Sequence, residues 1–466
     1  MTSFEIKSTL GIAFIYILRM LGLFIVLPIM SLHLTDLSEY SSTFMIGLAF
    51  GMYGLTQALF QIPFGILSDK FGRKKMILLG LFIFLVGSIF IYFSQSLIMI
   101  IIGRALQGAG AISAVLLALL ADLTTDSART KSMAIIGASI GLTFGISIVL
   151  SPILNSYLGF ENIFLMIAIL TLIAMGVLIR YIPAPINLVK NKDNKTSYQQ
   201  VIFDKVFLKL DLGIFSLHAS QIIMFMMIPV MLNNIGYPIK YHWQIYLPVF
   251  VLSILAIVPM ILLSSKKQML KTFFLGSIIL LILVQYLFIN WSDNKQNIMI
   301  ILLIYFIGFN FLEATLPSLI SRLSPKNLKG LVLGAYNTSQ SLGIFMGGIL
   351  GGFIASRYGN QAIFIVSALF LLIWLFTMIK FIFPANRKDL VLKINPKFFL
   401  LPKSLTDEIY KKINRLEFVE ETLIFPSESY IIIKSKNDLT LDQKKNNQDF
   451  RRKICHQLIK SFLWEI

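Results

Sequence analysis

Acidic residues are scarce in this chain and cysteine is nearly absent. Of 466 residues, 23 are Asp or Glu, four are His and one is cysteine, Cys455. A single thiol excludes a disulfide framework within the chain and a multi-cysteine metal site, so no metal is expected. Charged residues make up only 14% of the chain, against about a quarter in a soluble protein. The rest is dominated by apolar side chains, 56% of the total, in runs of about 20 residues that recur along most of the length. That composition is that of a polytopic helical membrane protein. No nucleotide-binding loop, zinc-type His-Glu cluster or nucleophile arrangement is present. Neither an enzyme nor a bound cofactor is expected, and any driving force would be an ion gradient.

Twelve spans are predicted, at roughly 9–30, 43–67, 76–94, 97–120, 132–154, 163–182, 210–232, 243–264, 271–290, 297–320, 331–355 and 362–383. The first has no small-residue cleavage site after it and reads as a span, not a removed signal. Basic residues sort the gaps. The even-numbered gaps hold seventeen Lys and Arg, including Lys70, Arg73, Lys190, Lys266 and Lys326. The odd-numbered gaps hold Lys240, Lys295 and Arg357. The positive-inside rule then places the even gaps and both termini in the cytoplasm. It also accounts for the formal net charge of +18 without a nucleic-acid partner.

An internal repeat is faintly visible. The stretch 157–164 can be laid over 357–364 at an offset of 200, and Leu79-Gly80 over Leu275-Gly276 at 196. With six spans on either side of a polar join (Asn191-Lys192-Asp193-Asn194-Lys195), this suggests two parallel six-helix bundles with a substrate site at their interface. The expected organisation is residues 1–184 as the first bundle, 185–208 as a cytoplasmic linker, 209–384 as the second bundle and 385–466 as a separate cytoplasmic module.

The turn Gly65-Ile66-Leu67-Ser68-Asp69-Lys70-Phe71-Gly72-Arg73-Lys74-Lys75 packs glycine and charge between two apolar runs. Gly65 and Gly72 would permit tight turning, and Arg73 can clamp a carboxylate through parallel bonds. The turn is similar to the loop signature G-x-L-x-D-x-x-G-R-[KR]-[KR] of the major facilitator superfamily. The resemblance implies a latch in which Asp69, Arg73 and Asp122, at the end of the fourth span, hold an outward-open state. The second half keeps only Ser264-Ser265-Lys266-Lys267, so the latch is expected on one side. Gly103-Arg104-Ala105-Leu106-Gln107-Gly108 resembles the fourth-span element of proton-coupled drug exporters. That resemblance associates Arg104 and Gln107 with proton coupling; a structural arginine paired to carbonyls is the alternative. Gly137, Gly141, Gly145 and Pro152 resemble the glycine-rich fifth-span motif of exporters, departing from it at Ser151 and Asn155. Glycines four apart share a helix face and let another backbone approach.

Other polar groups inside spans are Arg19, His218, Asn310 and Glu313. A charge inside the bilayer faces the protein interior by default. Glu313 is read as the one carboxylate well inside a span and the first choice of proton carrier, with His218 second; a paired acid and a packing histidine are the alternatives. Phe24, Tyr53 and Tyr336 join Arg19 and Asn310 as candidate pathway residues. Their bulky apolar character leans toward a lipophilic or amphipathic solute.

From about residue 385 charges become frequent. Leu390 and Leu392 alternate as in a strand, Ser404 can cap an amphipathic helix, and 419–425 with 430–433 read as a hairpin before a last helix near Ile454. The order β-α-β-β-α is that of a small ferredoxin-like module, with a net charge of +5 that suits anionic lipid. The whole chain resembles the branch of the superfamily of drug:proton antiporter type that carries such a tail; Tyr53-Gly54-Leu55-Thr56-Gln57-Ala58 and Gln61-Ile62-Pro63-Phe64-Gly65 are among the segments that carry the resemblance. It implies an all-α membrane fold of two six-helix bundles. It further implies a monomeric inner-membrane transporter that couples proton entry to export of a small organic solute. A proton-coupled importer, or a membrane sensor acting through its tail, is the alternative.

Overall fold

The computed structural model describes residues 1–37, 43–124, 126–183, 203–266, 269–324, 329–381, 383, 390–393, 419–425 and 430–435. Among the described residues, twelve helical segments are long and apolar enough to cross a membrane. They are built from α1 (Ser3–Phe24), α2 (Leu27–Asp36), α3 (Thr43–Phe71), α4 (Arg73–Tyr92), α5 (Leu97–Ala109), α6 (Ser113–Asp122), α7 (Asp126–Leu158), α8 (Phe160–Tyr181), α9 (Lys205–Asn234), α10 (Trp243–Lys266), α11 (Leu270–Asn290), α12 (Lys295–Leu323), α13 (Lys329–Tyr358) and α14 (Ala362–Ile379). Apolar solvent cannot satisfy backbone groups, so each crossing segment must close its own hydrogen bonds as helix. Four of these helices start on a side-chain cap from Thr2, Ser96, Asp204 or Asn294, which accepts an otherwise unpaired first-turn N–H.

Two of the spans are broken, which the apolar runs do not reveal. The first breaks between α1 and α2 at Ile25-Val26, just before Pro28. The fourth breaks between α5 and α6 at Gly110. Side chains bond to backbone carbonyls at or beside each break. Arg19 Nη2 donates to the Gly110 carbonyl at 3.2 Å, Tyr16 donates to that of Ser113 at 2.6 Å, and Ser151 donates to that of Ile25.

The repeat survives at one of its two matches. Gly159 and Gly359 both take positive φ, 81° and 90°, and each separates the end of a long helix from the start of the next. Glycine reaches that region without steric cost, which is why it recurs at equivalent joints. The other match fails in packing terms. Gly80 lies against Ile112 and the Gly110 backbone, whereas Gly276 faces open space.

The two halves meet backbone to backbone along α3 and α13. Gly47, Gly51 and Gly54 lie on one face of α3. An added Cβ at Gly47 would strike the Gly348 carbonyl, one at Gly51 the Phe345 carbonyl, and one at Gly54 that of Ser341. Gly343 and Gly347 use another face of α13 to approach Phe215 and Ala219 of α9. Glycine-rich α13 is thus wedged between one helix of each half. These approaches lie in the half of α3 far from the Asp69 turn, the distal seam. Gly145 of α7 joins it by packing on Phe250 of α10.

The expected close approach at Gly137 and Gly141 is not found. Both are exposed, with open space where a side chain would go. The helix face is shared, as the spacing requires, but only its distal member meets a neighbour. Pro152 sits inside α7 one residue after Ser151, whose hydroxyl reaches across to the break in the first span.

The chain divides into two compact units, Met1–Ile382 and Phe383–Ile466. In the second, β1 (Leu390–Lys393), β2 (Val419–Phe425) and β3 (Tyr430–Ser435) form an antiparallel sheet in the order β1-β3-β2. Leu390 is opposite Ile433, and Phe425 is opposite Tyr430. The two helices expected in this unit, Cys455 and most of the 185–208 linker lie outside the described residues.

Gly348→Ala and Gly141→Ala make the same chemical change with opposite expected signs. The first forces the seam apart and should cost about 1–3 kcal/mol. The second only removes unfolded-state freedom and should stabilise by about 0.4–1 kcal/mol. Thermal unfolding of the purified variants in detergent reads the difference.

Candidate functional site

At one end of the bundle, Arg73 ties three helices together. The turn is tighter than its sequence suggests. α3 runs to Phe71 and α4 starts at Arg73, so Gly72 alone, with φ 95°, makes the join. Gly65 lies inside α3 with open space around it and takes no part in the turn. Arg73 is buried. Its Nη2 meets Asp69 at 2.5 Å, its Nε donates to Asp122 of α6 at 3.1 Å, and its Nη1 donates to Ser68 at 2.5 Å. Ser68 in turn donates to the Gly65 carbonyl, and Lys74 donates to the Ile182 carbonyl just past α8. The three latch residues are therefore brought together within the first half.

A second cluster surrounds Tyr53. Arg19 Nη1 donates to Ser113 at 2.5 Å, and Nη2 donates to the Tyr53 hydroxyl at 3.4 Å. Arg104 stacks its guanidinium over the Tyr53 ring, 4.7 Å from the centroid, and donates to Gln107 Oε1 at 3.0 Å. Gln107 donates onward to Ser88 at 2.9 Å. Both guanidiniums are buried, and among the described residues neither makes a salt bridge. They are held by neutral oxygens and one aromatic face instead.

The third cluster is in the second half. His218 Nε2 stands 3.2 Å from Glu313 Oε2 and 2.7 Å from the side-chain nitrogen of Gln340. One ring nitrogen thus faces an acid and an amide, and it cannot accept and donate at once. If it accepts from the amide, Glu313 must bring its own proton. If it donates to an ionised Glu313, the amide must present its oxygen. Two hydrogen-bonding arrangements are chemically open to the cluster, differing in where a proton would sit. Asn310 lies apart from it, donating to Ser253 of α10 at 3.4 Å. Tyr336 is buried one turn before Gln340 on α13.

Aromatic rings bridge the halves. Phe144 of α7 contacts Phe24 at 5.0 Å between centroids, Phe309 at 5.9 Å, Phe306 at 6.0 Å and Phe225 at 6.1 Å. Phe309 also lies 6.1 Å from the His218 ring. Phe24 is therefore part of an apolar bridge that reaches the His218–Glu313–Gln340 cluster through Phe144 and Phe309.

Asp211, Gln340 and Phe144 were not among the sequence candidates. Among the described residues of the second half, Asp211 joins Glu313 as a buried or half-buried acid, six residues into its helix. The seventh span starts five residues earlier than its apolar run, at Lys205, and that places Asp211 two turns inside. The signal for Gln340 was the polar stretch Asn337-Thr338-Ser339-Gln340-Ser341 within a span. Phe144 carried none, being one of 39 phenylalanines.

Asp122→Ala should cost more stability than Asp69→Ala. Asp122 is the less exposed partner and faces Arg73 across two helices. Its loss takes from a buried guanidinium the partner that ties it to α6, leaving Asp69 and Ser68, and should cost about 1–3 kcal/mol, against about 0–1 kcal/mol for the half-exposed Asp69. Denaturant or thermal unfolding of the two variants checks the order.

The sequence profile of the Major Facilitator Superfamily matches residues 12–348. The inner membrane transport protein YajR of Escherichia coli (strain K12) is 39% identical over 378 residues, covering 80% of this chain and 83% of that protein. Among solved structures, a D-xylose-proton symporter superposes with a TM-score of 0.66 at 15% identity, covering 82% of this chain and 99% of its own. A bacterial homolog to the human lysosomal transporter Spinster superposes at 0.67 and 12% identity, covering 81% and 97%. These last two show the shared fold. The relatives are transporters rather than enzymes, and twelve apolar helices with an inner-membrane relative make this a multi-pass inner-membrane protein. The chain belongs to the Major Facilitator Superfamily of secondary transporters.

Proposed function

We propose that the protein couples the movement of protons to export of a small organic solute, lipophilic or amphipathic, by alternating access. The observation that carries this reading is the two-state cluster of His218, Glu313 and Gln340. A transporter driven by protons needs a group inside the membrane whose protonation changes the contacts around it. Here the change would be felt beside Phe309 and the aromatic bridge that joins the halves. The scarcity of charge along Phe24, Phe144, Phe225 and Phe306 favours an apolar substrate body over a sugar.

In this reading the Asp69 end and both termini are cytoplasmic, on the strength of the basic even-numbered gaps. The distal seam is then the periplasmic gate, and it is shut. Arg73, Asp69 and Asp122 form a cytoplasmic cluster within the first half that would change partners as the halves rock. It is formed here while the distal seam is closed, not in the outward-open state that the resemblance attaches to it. Arg104 and Gln107 support proton coupling from the first half by fixing a positive charge near the midplane. The sheet order β1-β3-β2 supports a ferredoxin-like tail with a binding or sensing role. The working unit is a monomer in contact with membrane lipid.

Two substitutions test the reading. Glu313→Gln should abolish the pH dependence of uptake of lipophilic cations into inside-out vesicles while leaving expression intact. PH dependence that survives would move the proton carrier elsewhere, and uptake with the opposite gradient sign would mean import. Asp69→Asn should slow turnover by up to about fivefold with normal insertion, as expected when a half-exposed ion pair of about 0–1 kcal/mol is weakened. Unchanged turnover would remove the Arg73 cluster from the mechanism.

A further inference from the structure

The break in the fourth span has a feature that the cycle above does not use. Helix α6 restarts at Ser113, and no side chain caps it. The N–H groups of a helix's first turn have no partner within it and favour an anion. Here that helix end meets two buried guanidiniums. Arg19 reaches it directly: Nη1 donates to the Ser113 hydroxyl at 2.5 Å and Nη2 to the Gly110 carbonyl at 3.2 Å. Tyr53 links the two arginines, with its hydroxyl 3.4 Å from Arg19 Nη2 and the centroid of its ring 4.7 Å from the Arg104 guanidinium. Arg19 and Arg104 are 2% and 1% exposed, and the Nε of each has no hydrogen-bond partner.

The acids of this half are engaged elsewhere. Among its described side chains, Asp69 and Asp122 bind Arg73, Glu161 faces His33, and Glu5 closes the cap of α1 on Thr2. The carbonyl end of α5 faces the same break, but its groups are in use. The Gly110 carbonyl accepts from Arg19 and from the Ile112 N–H, and the Gln107 carbonyl accepts from the Gly110 N–H. Neutral oxygens and an aromatic face soften the cost of a buried charge without cancelling it; an opposite charge does so.

We infer that the Tyr53 cluster binds a small carboxylate, held by Arg19, Arg104 and the N-terminus of α6. The two oxygens of a carboxylate match the parallel N–H groups of a guanidinium. The carboxylate is a free anion or the acid group of the transported solute. In the second case it narrows the amphipathic solute proposed above and rests on that reading.

Thermal unfolding of the purified full-length protein in detergent, at fixed ionic strength, tests the site. Acetate should raise the unfolding temperature with a saturable dose response, as a ligand of the folded state does. Arg104→Gln should weaken the apparent affinity about tenfold or more, through lost charge-assisted bonds. Ser113→Asp supplies a carboxylate next to Arg19 and keeps both arginines. It should unfold at a higher temperature and no longer respond to acetate, and it serves if Arg104→Gln does not fold. Octanoate that binds about tenfold or more tighter than acetate, and only without the Ser113→Asp change, would make the anion part of the solute. Equal affinities would make it a free anion. No saturable response to acetate or octanoate, or one that survives both substitutions, would overturn the inference. Proton coupling is read separately from Glu313→Gln, so that failure would leave the proposed function standing.

Discussion

Inside a bilayer there is no water to satisfy a polar group, so each one must find its partner in the protein. That constraint organises this molecule. Its two broken spans expose carbonyls, and Arg19, Tyr16 and Ser151 are the groups that answer them. An arginine at the centre of a span costs about 2.5–3.5 kcal/mol on insertion scales. Here that cost is offset by serine, carbonyl and tyrosine oxygens around Arg19 and by the Tyr53 ring beneath Arg104. The breaks and the arginines explain each other. A straight fourth span would leave no Gly110 carbonyl for Arg19 to reach.

The halves divide the electrostatic labour. The first holds three buried guanidiniums, Arg19 and Arg104 on neutral partners and Arg73 on Asp69 and Asp122. The second holds Glu313, Asp211 and His218, with His218 set against Glu313. The aromatic bridge from Phe24 through Phe144 to Phe309 joins the two halves beside that pair.

The spans were legible in the sequence because apolar length is a local property. All twelve predicted runs correspond to helices, with edges displaced by several residues. The Asp69 turn was legible as chemistry, and Asp69, Arg73 and Asp122 do meet. Its backbone was not, because nothing in Gly65 distinguishes a helical glycine from a turn glycine. The distal seam was half legible. Glycines at spacing three and four announce a close approach without saying to what, and Gly137 and Gly141 carry the same pattern and meet nothing. The second-half cluster was the least readable part. His218 and Glu313 are 95 residues apart in the chain, and His218 and Gln340 are 122 apart. Only the packing of α9 between α12 and α13 brings them together.

The central claim is that the halves pivot about the polar centre and that the distal seam opens in each cycle. Thr43 and Gly352 face one another across it, an added Cβ at Gly352 lying 2.8 Å from the Thr43 carbonyl. The direct measurement is flux through a protein with cysteines at these two positions and Cys455 replaced by serine. Cross-linking the pair should stop transport and reduction should restore it. Full transport through the cross-linked protein would contradict the account.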